Sequence, residues 1–213
     1  MATAGKAAVP KPTVPKPTAG LLGAVVAAAL LSGCANDTTA TPRQPTCPVM
    51  GHDTASNAVV LMAQSVPTTT WVPCLRPDIL PGGWSYEALD VRNGVSRFWL
   101  NSDRDGDMAI EVRLEQSCTT AGTTEIPTDR NGMRRYERVT ETAPEYHGKR
   151  YYVFEGGCIT FVFNLTGKPG QTRGEPLALA TQAVSAVSRP DLAAQVREES
   201  DGRLRLDPPE EKR

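Results

Sequence analysis

The stretch Met108-Ala-Ile-Glu-Val-Arg-Leu-Glu-Gln116 decides the fold of this chain. Because successive side chains of a β-strand point to opposite faces, its alternation of apolar and mostly charged residues predicts a strand with one buried face. The predicted buried residues are Met108, Ile110, Val112 and Leu114. Burial on one face only is typical of antiparallel sheets, so we expect the domain to be built around one.

A hairpin is expected immediately before this strand. The segments Tyr86 to Arg92 and Val95 to Asn101 have a similar pattern, and Asn93-Gly94 separates them. Both turn residues tolerate the positive φ that a type I′ turn requires, which makes this pair a strong hairpin signal.

Further strands are expected on either side. Arg150 to Phe154 and Cys158 to Leu165 flank Gly156-Gly157 and predict a second hairpin. Met133 to Thr140 is mostly charged, which suits an edge strand. Trp71 to Leu75 predicts a short extended segment.

Helices are predicted near both ends of the domain. Thr54 to Ser65 carries apolar residues at helical spacing and stops before Pro67, and Leu177 to Val187 has the same periodicity. A polar helix follows and ends near Glu199. We therefore expect an α+β fold, in which N- and C-terminal helices pack on one face of an antiparallel sheet of five or six strands.

The N-terminus has the features of an export signal. Lysines precede the apolar run Leu21 to Leu31, which is shorter than the roughly 20 residues that a membrane-spanning helix needs. The sequence Leu31-Ser32-Gly33-Cys34 ends this run and resembles the lipobox of bacterial lipoproteins. The resemblance implies cleavage before Cys34, a diacylglyceryl group on its thiol, and a lipid-anchored, extracytoplasmic location at the cell membrane. An ordinary signal peptide cleaved nearby and an uncleaved anchor are the alternatives.

Four parts follow from this interpretation: a signal peptide (1–33), a lipid-anchored flexible tether (34–48), a single α+β domain (49–207) and a charged tail (208–213). All 24 acidic residues follow Cys34, so the mature chain is mildly acidic and nucleic acid is not an expected partner. The body also resembles exported actinobacterial proteins, through Pro81-Gly-Gly-Trp84 and the segment from Arg150 to Cys158. That resemblance implies no activity.

The remaining cysteines are Cys47, Cys74, Cys118 and Cys158. An even number in an oxidising compartment predicts two disulfides, for which three connectivities are possible. The simplest pairs Cys47 with Cys74 and Cys118 with Cys158, because it closes two separate loops. No pair has Cys-x-x-Cys spacing and the chain has only two histidines, so a zinc site is not expected.

The sequence lacks the familiar catalytic and cofactor motifs, including the Gly-x-Ser-x-Gly elbow, the phosphate-binding loop, His-Glu-x-x-His and the dinucleotide fingerprint. His147 follows Pro144 and precedes Gly148, which predicts an exposed turn. We expect no cofactor. We favour a non-enzymatic cell-envelope lipoprotein that acts as a binding or accessory module on the outer face of the cytoplasmic membrane. The alternative is an envelope hydrolase with an unrecognised active site.

Two predicted strands bring cations and aromatic rings together if they pair. Arginine binds phosphate or carboxylate bidentately, and tyrosine faces contact sugars or cations. An anionic envelope polymer or lipid headgroup is therefore the predicted ligand. Because side chains alternate between the faces of a strand, only some of these residues can share a face. The alternative interpretation is that they are ordinary exposed strand residues with cross-strand partners. The candidate ligand-binding residues are Arg134, Tyr136, Arg138, Arg150 and Tyr152.

A possible calcium loop starts at Asn101. Asn101, Asp103 and Asp105 precede Gly106, and oxygen ligands two residues apart before a glycine suit Ca²⁺. Val112 stands where a bidentate glutamate is expected. These three residues are candidate metal ligands, and a plain hairpin loop is the favoured alternative.

Overall fold

The computed structural model describes residues 44–48, 54–142, 145–166 and 174–207, which all belong to one compact unit. The signal peptide, Cys34, most of the tether and the charged tail lie outside the described residues, so the sequence predictions for them stay predictions. None of the described helices is both long and apolar enough to cross a membrane.

The described elements are nine strands, three α-helices and a short 3₁₀ turn. The strands are β1 (Trp71–Leu75), β2 (Trp84–Arg92), β3 (Val95–Ser102), β4 (Gly106–Glu115), β5 (Thr124–Ile126), β6 (Arg134–Glu141), β7 (Tyr146–Phe154), β8 (Gly157–Leu165) and β9 (Val184–Ser188). The helices are α1 (Asn57–Ser65), α2 (Gly174–Gln182) and α3 (Arg189–Glu199), and the 3₁₀ turn is Pro77–Ile79.

Seven strands form one antiparallel sheet in the order β2-β3-β4-β8-β7-β6-β5, and β1 pairs with β9 in a separate two-stranded sheet. The predicted α+β class and the large antiparallel sheet are confirmed, as is the hairpin at Asn93-Gly94, where Arg92 pairs with Val95. Gly94 has the positive φ of a type I′ turn, but Asn93 does not, so the predicted turn type was wrong. The predicted strand count was too low. β5 has only three residues, which is too short to show a period. It pairs with β6, so β6 is not the edge strand that its charged residues predicted.

One face of the large sheet carries the core. Phe98, Val112 and Phe161 lie directly opposite one another on β3, β4 and β8, and all three are fully or almost fully buried. Helix α1 contacts β1, β2 and β3 and buries Val59 and Met62. We call the face with Phe98, Val112 and Phe161 the inner face, and the opposite one the outer face.

The predicted helix Leu177 to Val187 was wrong in its second half, because α2 ends at Gln182 and the chain continues as β9. Val184 has helical spacing from the preceding apolar residues, but it lies opposite Leu75 in the ladder with β1. The buried strand β1 needs a hydrogen-bonding partner, and this pairing overrides the helical pattern. Helices α2 and α3 contact β9, so their placement also differs from the predicted packing on the main sheet.

The predicted turn at His147 was also wrong. Strand β7 begins at Tyr146, four residues before the predicted start, and His147 lies opposite Asn164 of β8. The pairing of β7 with β8 continues over the whole length of β7, and this extends the strand beyond its alternating part.

Both disulfides join the cysteines that close separate loops. Cys47 is bonded to Cys74 with their Cα atoms 4.9 Å apart, and Cys118 is bonded to Cys158 with a Cα separation of 6.1 Å. Both separations are ordinary for a disulfide. Of the three connectivities that the sequence left open, this is the simplest one.

A buried arginine joins the two ends of the domain. Arg189 opens α3 and is 2% exposed. Its guanidinium donates hydrogen bonds to the carbonyls of Thr69 (2.7 Å), Val66 (3.0 Å) and Ala63, and to that of Asp207 (2.9 Å). Burial lowers the pKa of Arg189, which the charge of Asp207 partly offsets. The side chain therefore acts as a cap for the C-terminal end of α1.

Candidate functional site

The strands β6 and β7 pair as expected, and their register decides which side chains share a face. Glu137 lies opposite Arg150, and Arg150 lies opposite Phe161 of the core. Arg135 lies opposite Tyr152 in the neighbouring row. Residues directly opposite each other share a face, so the inner face changes from apolar at the sheet centre to charged on β6 and β7.

This register separates the five candidate ligand-binding residues. Arg150 and Tyr152 lie on the inner face, whereas the three candidates of β6 lie on the outer face. The three on the outer face are Arg134, Tyr136 and Arg138. The five residues therefore do not form one surface.

A cleft of about 700 Å³ opens on the inner face between β6, β7, the loop 127–130 and α2. Its lining includes Arg130, Arg135, Arg150 and Tyr152. Helix α2 contributes Ala178, Thr181 and Gln182 on the opposite side. We call it the arginine cleft.

Arg130 enters the cleft from the loop. Its guanidinium lies over the Tyr152 ring, 4.5 Å from the centroid, and Nη2 donates a 2.7 Å hydrogen bond to the carbonyl of Val184. The other terminal nitrogen, Nη1, is buried and has no hydrogen-bond partner among the described residues. Burial lowers the pKa of Arg130. The Tyr152 ring and the Val184 carbonyl therefore fix the position of this guanidinium at the side of the cleft.

Arg135 and Arg150 share one carboxylate. Arg150 Nε donates to Glu137 Oε1 at 2.5 Å, and Arg135 donates to the same oxygen through Nε at 2.9 Å and through Nη2. Burial raises the pKa of Glu137, but the hydrogen bonds and charges of the two arginines outweigh it and lower that pKa below its usual value. The carboxylate is therefore ionised near neutral pH and holds both guanidinium groups in place.

The charges of the cleft do not cancel. Arg130, Arg135 and Arg150 face one partly buried carboxylate, Glu137, and the exposed Asp129. Arginine stays protonated in proteins, so the cleft carries excess positive charge at all physiological pH values. Such an arrangement binds anions, and the planar guanidinium groups favour phosphate or carboxylate.

The sequence identified Arg150 and Tyr152 as candidates and showed that Arg135 points away from the candidates of β6, but Arg130 was missed. The alternation of β6 places Arg135 on the face of Arg150 once the register is known. Arg130 lies in a loop, where the sequence has no periodicity, and only the fold brings it onto Tyr152. No sequence signal identifies it.

The other sequence candidates occupy separate places. Asn101 Oδ1 accepts a 2.7 Å hydrogen bond from the backbone of Met108, and its Nδ2 donates to Glu87. Asp105 is 7% exposed and accepts a hydrogen bond from Ser102. These contacts describe an ordered hairpin loop, and calcium binding by Asn101, Asp103 and Asp105 stays a prediction.

His147 lies on the outer face beside two carboxylates. Its Nε2 is 3.1 Å from Glu145 Oε2 and 3.9 Å from Glu141 Oε2, while Nδ1 is 3.4 Å from Asn164 Oδ1. The contact with Glu145, followed by Asn164 and Glu141, raises the pKa of His147. Glu141, Glu145 and His147 are the one group of acidic and histidine side chains within the described ranges that lie close enough to share a metal ion. The nearby hydroxyl of Thr140 donates to the backbone oxygen of His147, not to its ring.

No protein-family model matches the chain, and a search of curated proteins found no significant match. Among solved structures, a protein from Bacteroides thetaiotaomicron VPI-5482 is similar at 11% sequence identity with a TM-score of 0.26. The match covers 57% of this chain and 46% of the other, so the chain spans less than half of that protein.

Proposed function

We propose that this protein is a non-enzymatic binding module of the cell envelope and that the arginine cleft binds an anionic envelope polymer. The observation that carries the proposal is the convergence of Arg130, Arg135 and Arg150 on one cleft. An anionic group of a ligand would offset the excess positive charge of this cleft.

Binding is favoured over hydrolysis by the residue types in the cleft. The described lining supplies guanidinium groups, a tyrosine ring and amide or hydroxyl groups of α2, which suit recognition of anions. A hydrolase needs a base next to a nucleophile or an activated water. His147 lies on the opposite face of the sheet, so it does not serve the cleft.

A polymer is favoured over a lipid headgroup because the charged side chains line a concave space between the sheet and α2. A flat bilayer surface does not enter such a space, whereas a single extended chain does. The lipobox at Cys34 and the polar tether would hold the domain at the outer face of the cytoplasmic membrane, close to such polymers.

Isothermal titration calorimetry of the full chain in detergent with a short synthetic poly(glycerol phosphate) tests the proposal. We expect binding that weakens with salt, and a loss of at least about tenfold in affinity in the variant Arg135→Gln/Arg150→Gln. Arg92→Gln is the control, because Arg92 is exposed on the distant strand β2 and paired with Asp90.

Two outcomes would contradict the proposal. One is the absence of polymer binding at low salt, and the other is equal affinity in the wild type and the double variant. Dihexanoyl phosphatidylglycerol provides the lipid arm, since it carries a phosphate diester as a soluble headgroup. If it binds more tightly than the polymer, the cleft recognises a headgroup.

A further inference from the structure

The outer face of the β6–β7 pair carries two facing cations. Arg138 and Lys149 lie directly opposite each other in the antiparallel register. Like charges in this position destabilise a sheet. Within the part of the chain that the structure describes, neither side chain makes an ion pair or a hydrogen bond.

Other cations of the outer face have acidic partners. Arg97 pairs with Asp90 at 2.9 Å, Arg113 with Glu111 at 2.8 Å, and Arg134 with Glu125 at 2.7 Å. The unpaired state of Arg138 and Lys149 is therefore a local feature and not a general property of this face.

Arg138 and Lys149 line a groove of about 290 Å³. Lys149 lies between Arg138 and Val162 in one cross-strand row. On the same face, Tyr151 lies next to Lys149 in the neighbouring cross-strand row on one side. Asn164 lies in the neighbouring row on the other side. The floor of the groove is thus partly apolar, with the Tyr151 ring at one end and the Asn164 amide at the other. His147, with its two carboxylate neighbours, also lines the end with Asn164.

A neutral loop lies near Arg138. The segment 117–123 contains no charged residue, and a Cβ added at Gly122 would lie 4.0 Å from Arg138 Nη1. The disulfide between Cys118 and Cys158 ties this loop to β8. The loop therefore approaches Arg138 without supplying a counter-charge.

We propose that this groove is a second anion site, separate from the arginine cleft, and that it binds a phosphorylated monosaccharide. Arg138 and Lys149 contact the phosphate, the Tyr151 ring contacts one face of the sugar, and the Asn164 amide binds a hydroxyl. The volume lies at the lower end for small-molecule sites, which suits a ligand with a single ring.

Calorimetric titration of the full chain in detergent with glucose 6-phosphate, inorganic phosphate and glucose tests the proposal. We expect glucose 6-phosphate to bind more tightly than phosphate, and Arg138→Gln and Lys149→Gln each to weaken it by about tenfold or more. Tyr151→Leu should reduce the affinity for glucose 6-phosphate to that for phosphate. Arg92→Gln, which removes the same charge at the far edge of the sheet, should change nothing.

A stability measurement separates lost binding from lost folding. Because Lys149→Gln relieves the repulsion across β6 and β7, its urea midpoint should equal or exceed that of the wild type. Unchanged affinity for glucose 6-phosphate in both charge variants would overturn the proposal. Equal affinities of the wild type for glucose 6-phosphate and phosphate would overturn the assignment of a sugar ligand.

Discussion

Replacing Arg189 by methionine should destabilise the domain strongly. The carbonyl of Ala63, near the end of α1, would normally accept from the residue four positions later, but that residue is Pro67, which has no N–H. Arg189 supplies the missing donor and also donates to Thr69. Val66 keeps a second donor, the hydroxyl of Thr69, so Ala63 and Thr69 are the carbonyls most dependent on the arginine.

The expected loss follows from these two carbonyls. A buried acceptor left without a donor costs about 1–3 kcal/mol, and the buried guanidinium's own desolvation cost disappears with it. Two such carbonyls cost about 2–6 kcal/mol together, and the recovered desolvation of the guanidinium offsets part of this, so we expect Arg189→Met to lower the free energy of unfolding by about 2–4 kcal/mol. Methionine fills much of the volume of the arginine stem, so little of this loss comes from a cavity.

Urea denaturation followed by circular dichroism measures the change, with the slope against urea expected to stay constant. Arg197→Met is the matched control, because Arg197 is exposed on the same helix and its replacement should stay within about 0.5 kcal/mol of the wild type. A loss below about 1 kcal/mol for Arg189→Met would refute the view that its hydrogen bonds hold α1 and α3 together.

Three further predictions concern the disulfides, pH and the anchor. The variant Cys118→Ser/Cys158→Ser should lose about 4 kcal/mol in urea denaturation, since the bridge closes a loop with a sequence separation of 40, and a loss under about 1 kcal/mol would contradict this. Because the pKa of His147 is raised, its protonated form stabilises the fold below the ordinary value of 6.5, and this small contribution is lost as the pH rises through the folded pKa. The urea midpoint of the wild type should therefore fall between about pH 6 and pH 8, and that of His147→Gln should fall less. Wild-type and variant midpoints that change in parallel with pH would exclude a contribution from His147. Cys34→Ala should abolish lipid labelling and release the protein from membranes, whereas a variant that stays membrane-bound would support an uncleaved anchor.

The central sheet was predictable because its residues interact with their neighbours in a regular way. The alternation from Ile110 to Leu114 and the turn at Asn93-Gly94 both specify local geometry, and the structure has both. Met108 was expected to be buried but is 48% exposed, because the backbone turns there with a φ of 51° before the alternation begins. The α+β class follows from such local signals. The short polar strand β5 has no such signal, since its pairing with β6 depends on a distant segment.

The errors arose where tertiary partners decide the conformation. Val184 belongs to a helical pattern in the sequence, but β1 requires a partner strand, and the segment with Val184 supplies that strand as β9. His147 follows turn-forming residues, yet the ladder with β8 continues past it.

The site was only partly predictable for the same reason. The strands that carry Arg135 and Arg150 were identified from the sequence. Alternation along β6 also shows that Arg134 and Arg135 point to opposite faces. The choice of the face with Arg150 required the register of β6, β7 and β8. Arg130 lies in a loop and reaches the cleft because the fold places it over Tyr152 and next to the Val184 carbonyl.

The most direct test of the account is which arginines contact an anionic polymer. Nuclear magnetic resonance can follow the side-chain Nε–H signals of the full chain in detergent during titration with poly(glycerol phosphate). If the arginine cleft binds the polymer, the signals of Arg130, Arg135 and Arg150 shift together with one affinity, while that of the exposed Arg92 stays in place. Polymer binding that leaves the signals of these three arginines unchanged would contradict the account.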